Sequence, residues 1–242
     1  LPGKMNLFLI RRLYKYADAS VSVSEKVQSQ LLSLTTLAFN RYVINNPFDL
    51  AYIASRSEEA VDDFCYVDGE VYLVAVGRIN TVKRYDLIIG AMNLLSNDRL
   101  NLIVIGEEEN VKADTLLTMA VNKDKVHFLG AKENPYKYIK NSDVLILSSD
   151  SESFGNVLIE SMVCGTPVIG ARCGGPEEII CHDYSGILVD PGDVQQLARA
   201  IQRTAFDDEY KALLANNALS GVNKYDVHRI AGQYKKVLES CH

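Results

Sequence analysis

The chain has 242 residues, 48% of them apolar and 23% charged, with a net charge of −6. That apolar content suits packed cores in both halves and excludes a disordered chain. The acidic balance excludes the basic stripe of a nucleic-acid binder, so an anionic ligand must rely on a few placed cations.

In chain order, "RRLYKY" reads as helix, "ASVSVS" (19–24) as strand, and the following stretch as a helix capped by Ser24. "YVINNPFD" (42–49) reads as a strand ending in an Asn-Pro turn. One strand with flanking helices cannot bury a core alone, so residues 1–48 are expected to be the tail of a preceding domain plus a linker. The start at Leu1, with no signal peptide visible, reads as a fragment of a longer chain.

From residue 70 the pattern changes. "VYLVAVG" (71–77), "LNLIVIG" (100–106), "VHFLG" (126–130), "DVLILSS" (143–149), "TPVIGA" (166–171) and "SGILVD" (185–190) read as short buried strands. Helical stretches lie between them: 84–95, 111–121, 134–141, 156–164, 176–182 and 193–205. Strands alternating with helices imply parallel crossovers, hence an α/β class with a Rossmann-like, doubly wound parallel sheet over residues 49–225. "YDVHRIAGQYKKVLES" is amphipathic and predicts a terminal helix over residues 226–242. The five cysteines are odd in number and lack C-x-x-C spacing, and the four histidines are scattered. That argues against a zinc site and for a reduced, cytoplasmic compartment.

Open parallel sheets take ligands beyond the carboxyl ends of their strands, which directs attention to the loops that follow them. In "GRINTVKR" (77–84), Arg78 offers a planar fork of donors and Lys83 a mobile ammonium. The pairing suits two adjacent phosphates, and a solvated basic loop is the equal alternative. Arg84 reads as part of that basic loop. Within residues 148–180, Glu152 and Glu160 flank Phe154, Gly155 and Asn156, where a helix begins. Free N–H groups at such a helix start make an anion site, and two carboxylates can accept hydrogen bonds from a polyol. Taken alone, Glu160 reads first as an ordinary exposed helix residue. Gly174 and Gly175 allow close backbone approach, Pro176 suits a first helical turn, and Glu177 and Glu178 suit a helix N-terminus. The run Glu107–Glu109 reads as a solvated loop.

The chain contains no G-x-G-x-x-G, no G-x-x-x-x-G-K-[ST], no D-x-D and no G-x-S-x-G. Dinucleotide, P-loop, metal-bridged diphosphate and serine-hydrolase sites therefore have no motif here.

Three blocks, "GRINTVKRYDLIIGAM", "NPYKYIKNSDVLILSSDSESFGNVLIESMVCGTPVIGARCGGPEEII" and "SGILVDPGDVQQLARAI", resemble the family-4 retaining glycosyltransferases of the GT-B fold. The earlier "ADASVSVSEKV" and "YVINNPFD" resemble the end of that fold's N-terminal domain and its interdomain linker. The resemblance implies the C-terminal, donor-binding half of a GT-B fold with a short remnant of the acceptor domain.

It further implies that Arg78 and Lys83 bind the donor diphosphate, and that Glu152 contacts the donor sugar, the three together forming the catalytic set. Glu160 would accept the ribose hydroxyls. Gly77, Ser153, Phe154, Gly155, Asn156 and Val157 would complete the donor site. No cofactor and no metal are implied, the donor being a UDP- or GDP-sugar. The implied acceptor is a glycan or lipid-linked glycan of surface polysaccharide synthesis, with UDP donors favoured.

The missing N-terminal domain and peripheral contact with the inner face of the membrane belong to the full-length protein. Two other readings follow the same residues: a non-catalytic nucleotide-sugar-binding domain, and a GT-B-like sugar-nucleotide epimerase. One departure stands out. Many relatives have glycine where this chain has Ser153, so the backbone beside the sugar is expected to be less free.

Overall fold

The computed structural model describes residues 4–34 and 40–240. Residues 1–3, 35–39 and 241–242, parts of the expected N-terminal segment and terminal helix, lie outside the described residues. The chain begins with α1 (Lys4–Leu13), β1 (Ala19–Ser22), α2 (Glu25–Leu34), β2 (Asn40–Val43) and α3 (Leu50–Ser57). It continues with β3 (Val71–Val76), α4 (Tyr85–Leu95), β4 (Leu100–Ile105), α5 (Ala113–Leu117), β5 (Val126–Phe128), α6 (Tyr136–Lys140) and β6 (Val144–Leu147). The remainder is α7 (Asn156–Val163), β7 (Val168–Ala171), α8 (Gly175–Ile179), β8 (Ile187–Val189), α9 (Val194–Phe206), α10 (Asp208–Gly221) and α11 (Val227–Ser240). Two compact units result, one of Leu50–Asn223 and one of Leu1–Asp49 with Lys224–His242.

The larger unit is a six-stranded, all-parallel sheet in the order β5-β4-β3-β6-β7-β8. Its strands are near-continuous apolar runs because helices cover both faces. Leu73, Val74, Ala75, Leu102, Ile103 and Val104 are all fully buried. This is the doubly wound α/β architecture expected from the alternating pattern. The strand order reverses at β3 and β6, since β4 and β5 lie on one side and β7 and β8 on the other. In open parallel sheets of this kind, ligands bind beyond the carboxyl ends of the strands at such a reversal, here β3 and β6.

Where element bounds differ from the expectation, packing is the reason. The apolar pattern over 111–121 gives only the five-residue α5, because Met119 and Val121 face outward. Helices α3 and α10 lie outside the helical stretches expected from the sequence. α3 buries only Ile53 and Ser57, and α10 only Leu214 and Ala218.

In the smaller unit β1 and β2 pair in parallel, with Ala19 opposite Asn40 and Ser22 opposite Val43. The Ser24 hydroxyl accepts from the Val27 N–H at 3.2 Å, capping α2 as its sequence position predicts. Ile44 packs with Ile230 and Val237 of α11. Phe48 and Tyr225 meet edge to face at 6.4 Å, and Phe48 exchanges backbone hydrogen bonds with Tyr225 and Val227. No described helix is long and apolar enough to cross a membrane.

Candidate functional site

Three carboxyl-end loops of the sheet are stitched together at this edge. The loop after β6 bonds to the loop after β3: Asp150 N–H donates to the Val82 carbonyl at 2.9 Å. The Ser148 hydroxyl lies 2.8 Å from the Lys83 carbonyl and 3.0 Å from that of Arg84. The same β6 loop bonds onward to the loop after β7, where Gly175 N–H donates to the Glu152 carbonyl at 3.0 Å. Glu152 and Gly174 form an isolated parallel bridge there.

These connections need glycine at Gly175. A Cβ on that residue would lie 2.1 Å from the Phe154 carbonyl oxygen and 2.3 Å from its Cα, both rigid backbone atoms. Phe154 is almost fully buried and packs its backbone against Gly175. Gly155 turns the chain at φ +98° into α7, whose first turn carries no acidic residue and no side-chain cap. With no acidic side chain there, the positive end of the helix dipole is not offset by a carboxylate of its own first turn. Ser153 is exposed and keeps a negative φ, so the glycine common at this position is not needed for backbone conformation here. Asn156 is exposed and Val157 half-buried.

Lys83 and Glu152 come together. Lys83 Nζ lies 2.8 Å from Glu152 Oε2, and both side chains are about three-quarters buried or more, at 24% and 20% exposure. Gly77 makes room for the lysine stem, for a Cβ there would stand 3.2 Å from Lys83 Cε. The Gly77 carbonyl accepts from the Tyr85 hydroxyl at 2.8 Å, and burial pushes that phenol's pKa upward.

Arg78 sits on the same loop but pairs elsewhere, its Nη1 lying 2.5 Å from Glu109 Oε1. With Arg78 68% exposed, that contact is worth about 0–1 kcal/mol and opens easily.

The Glu160 carboxylate, one turn into α7, makes no hydrogen bond or ion pair among the described residues, while its backbone carbonyl accepts from Cys164 N–H at 3.1 Å. Burial pushes its carboxyl up to about 7. Its charge in turn raises the Tyr136 phenol and the Cys164 thiol, both of which burial already raises. Glu152 and Glu160 thus face different neighbours, the first Lys83 and the second the α6–α7 side.

One expectation is corrected. Arg84 is no solvated member of the basic loop. It takes a left-handed conformation at φ 51° and donates to both Asp86, at 2.9 Å, and Asp150, also at 2.9 Å. The Asp86 carboxylate, with help from Asp150, raises its pKa further. Glu107–Glu109 are exposed, as a solvated loop should be, and are also tied to the loop after β3. Ile79 N–H donates to the Glu107 carbonyl at 2.7 Å, and Glu109 accepts from both Arg78 and Asn80.

Glu177 does cap its helix, its carboxylate accepting from Gly174 N–H at 3.0 Å. Cys173 also borders the site, where burial and the Glu152 charge raise its thiol to about 12. Sequence reasoning missed Asp150, Asn80 and Glu109. Only Asn80 carried a local signal, as an asparagine placed to turn the backbone ahead of Lys83.

Solved structures with the same architecture include that of Anabaena HepE in complex with UDP and glucose. It matches at TM-score 0.84 and 24% identity over 99% of this chain and 68% of that one. Sucrose-phosphate synthase from Thermosynechococcus elongatus matches at TM-score 0.82 and 24% identity, covering 98% of this chain and 61% of that one. At such identities the likeness is one of fold.

Among curated relatives, a Campylobacter jejuni N-acetylgalactosamine-N,N'-diacetylbacillosaminyl-diphospho-undecaprenol 4-alpha-N-acetylgalactosaminyltransferase is 29% identical over 97% of this chain and 63% of its own length. The Bacillus anthracis N-acetyl-alpha-D-glucosaminyl L-malate synthase is 26% identical over 95% of this chain and 61% of its own. The chain therefore spans under two thirds of these relatives' length. The family described as Glycosyl transferases group 1 matches residues 59–220, which include the whole six-stranded sheet and every loop at its carboxyl edge. By that match, the chain belongs to the Glycosyl transferases group 1 family.

Proposed function

We propose that this chain holds the nucleotide-diphosphate sugar of a retaining hexosyltransferase and stabilises its leaving group, UDP-sugars being the favoured donors. The observation that carries the reading is the Lys83–Glu152 pair across the β3/β6 switch point, with Arg78 on the lysine's own loop. In this reading the diphosphate meets Lys83, Arg78 and the N-terminal turn of α7. Glu152, released from Lys83, accepts from the donor sugar, and Glu160 accepts from the ribose.

Chemically, the bond from the anomeric carbon to the β-phosphate oxygen breaks, and its electron pair stays on the phosphate. Negative charge grows where two cations and a helix terminus already stand. The acceptor hydroxyl attacks from the same face and gives its proton to the departing phosphate oxygen, so configuration is retained without an enzyme nucleophile. Metal independence is expected, since the two cations take the charge-neutralising role. The choice of UDP is supported by the HepE complex with UDP and glucose. A lipid-linked acceptor of surface glycan synthesis, at the cytoplasmic face of the membrane, is supported by the diphospho-undecaprenol in the Campylobacter relative's name. The acceptor site itself is assigned to residues beyond this chain.

Titration calorimetry with UDP, GDP and their sugars tests the reading. Saturable binding, weakened in Lys83→Ala, is expected, and no binding of any of them would overturn it. On the full-length protein, transfer that persists in a chelator with retained anomeric configuration is the matching result for catalysis.

A further inference from the structure

The geometry points to Asn80 and Glu109 as positioning residues for both diphosphate-binding cations, an inference that rests on the proposed site. A single carboxylate uses its two oxygens for two purposes. Glu109 Oε1 accepts from Arg78 Nη1 at 2.5 Å, while Oε2 accepts from Asn80 Nδ2 at 2.7 Å.

The second contact fixes the orientation of the Asn80 amide. Its NH2 group must face the carboxylate, so its oxygen faces the other way. There Oδ1 accepts from Val82 N–H at 3.1 Å and Lys83 N–H at 3.0 Å. A flipped amide would set an oxygen against the carboxylate and an NH2 against two N–H groups. Glu109 therefore selects the orientation that forms the turn, and the turn carries Lys83 to Glu152.

The supporting frame is the neighbouring loop. Thr81 N–H donates to Asn110 Oδ1 at 3.0 Å, so three consecutive N–H groups are taken by asparagine oxygens. Ile79, almost fully buried, exchanges backbone hydrogen bonds with Glu107 and Glu109 at 2.7 and 3.0 Å. Residues 107–110 thus act as a template against which residues 78–83 are shaped. Arg78 is exposed and long, so without Glu109 its guanidinium loses a preferred direction, and orientation is most of what a phosphate clamp supplies.

The test is UDP and uridine binding to the 242-residue chain, by calorimetry and chemical-shift titration, in Asn80→Ala, Glu109→Ala and Glu109→Gln. Thermal melting confirms folding, and Lys83→Ala serves as control. UDP affinity is expected to fall about three- to tenfold in both alanine variants, the scale of one lost oriented contact. Uridine affinity should stay unchanged, because the effect acts only through phosphate-binding cations. Glu109→Gln should lose less, since its remaining oxygen can still accept one donor. In a Lys83→Ala background, Asn80→Ala should have no further effect on UDP.

Unchanged UDP affinity in the alanine variants, with Lys83→Ala still weakened, would overturn the positioning role alone. Tighter UDP binding in Glu109→Ala would overturn it too, marking Glu109 as a competitor of phosphate for Arg78. Parallel loss of uridine would reduce the effect to general disruption. Insensitivity of UDP binding to Lys83→Ala would instead bring down the site on which the inference rests.

Discussion

Lys83, seven residues after the end of β3, and Glu152, five after the end of β6, meet at 2.8 Å although 69 residues separate them in sequence. Adjacency of β3 and β6 brings them together, and the stitches from Ser148 and Asp150 hold their loops in register. Under the proposed function, the pair is where phosphate binding and sugar binding are coupled. Phosphate takes Lys83, and the carboxylate it displaces becomes an acceptor for sugar hydroxyls. Lys83→Ala should weaken UDP at least about tenfold, the loss of one charge-assisted hydrogen bond. Glu152→Gln should leave UDP affinity unchanged or tighter while lowering the affinity of UDP-sugar relative to UDP. Calorimetry with both ligands checks the ratio.

Glu160 gives a pH signature. Its folded carboxyl, raised by burial to about 7 from 4.5, binds more protons than the unfolded one between those two values. Stability therefore falls as pH rises through that window, and the whole penalty is present above it. Glu160→Gln should accordingly be more stable than wild type at pH 8, by about 1–3 kcal/mol, with the difference vanishing near pH 4. Melting curves at the two pH values measure this. If its carboxylate accepts ribose hydroxyls, UDP affinity should rise from pH 6 to pH 8 more steeply in wild type than in Glu160→Gln. The ionisation of UDP itself is common to both proteins and cancels.

Gly175→Ala should be costly out of proportion to one methyl group. The new Cβ meets Phe154 backbone at 2.1–2.4 Å, and neither chain can yield without breaking the Gly175–Glu152 hydrogen bond. A loss of about 1–3 kcal/mol is expected. UDP binding should weaken as well, since the displaced loop carries residues 152–156. Denaturant melts and calorimetry on one preparation give both numbers.

Arg84→Ala should destabilise the fold by about 1–2 kcal/mol by leaving Asp86 and Asp150 without their shared cation. Arg84→Lys should recover only part, because one ammonium cannot reproduce the planar fork that serves two carboxylates. Urea titration of the three proteins separates the cases.

Ser153→Gly is expected to be near neutral for stability, within about 1 kcal/mol, because the serine already holds a negative φ. Any effect should appear in discrimination among donor sugars, measured as relative affinity across a UDP-sugar panel.

Much of this protein was legible in local patterns. Buried strands such as "VYLVAVG" and "LNLIVIG" declare themselves because both faces of a parallel strand are covered, and Ser24 announces the helix it caps. The resemblance to GT-B glycosyltransferases singled out Glu152, Glu160, Arg78 and Lys83, which their spacing alone had left open. Their partners were a different matter. Arg78 answers to Glu109 from 31 residues away, and Arg84 answers to Asp150 from 66. Chain spacing carries no trace of either pair, since the order β5-β4-β3-β6-β7-β8 alone decides which loops become neighbours. Burial of Glu160 was equally out of reach, because it depends on how α6 and α7 pack rather than on the residues flanking it. Composition and periodicity determined the layers and the charges available, whereas the tertiary structure decided which charge faces which, a matter of strand order and loop register over distances no local pattern spans.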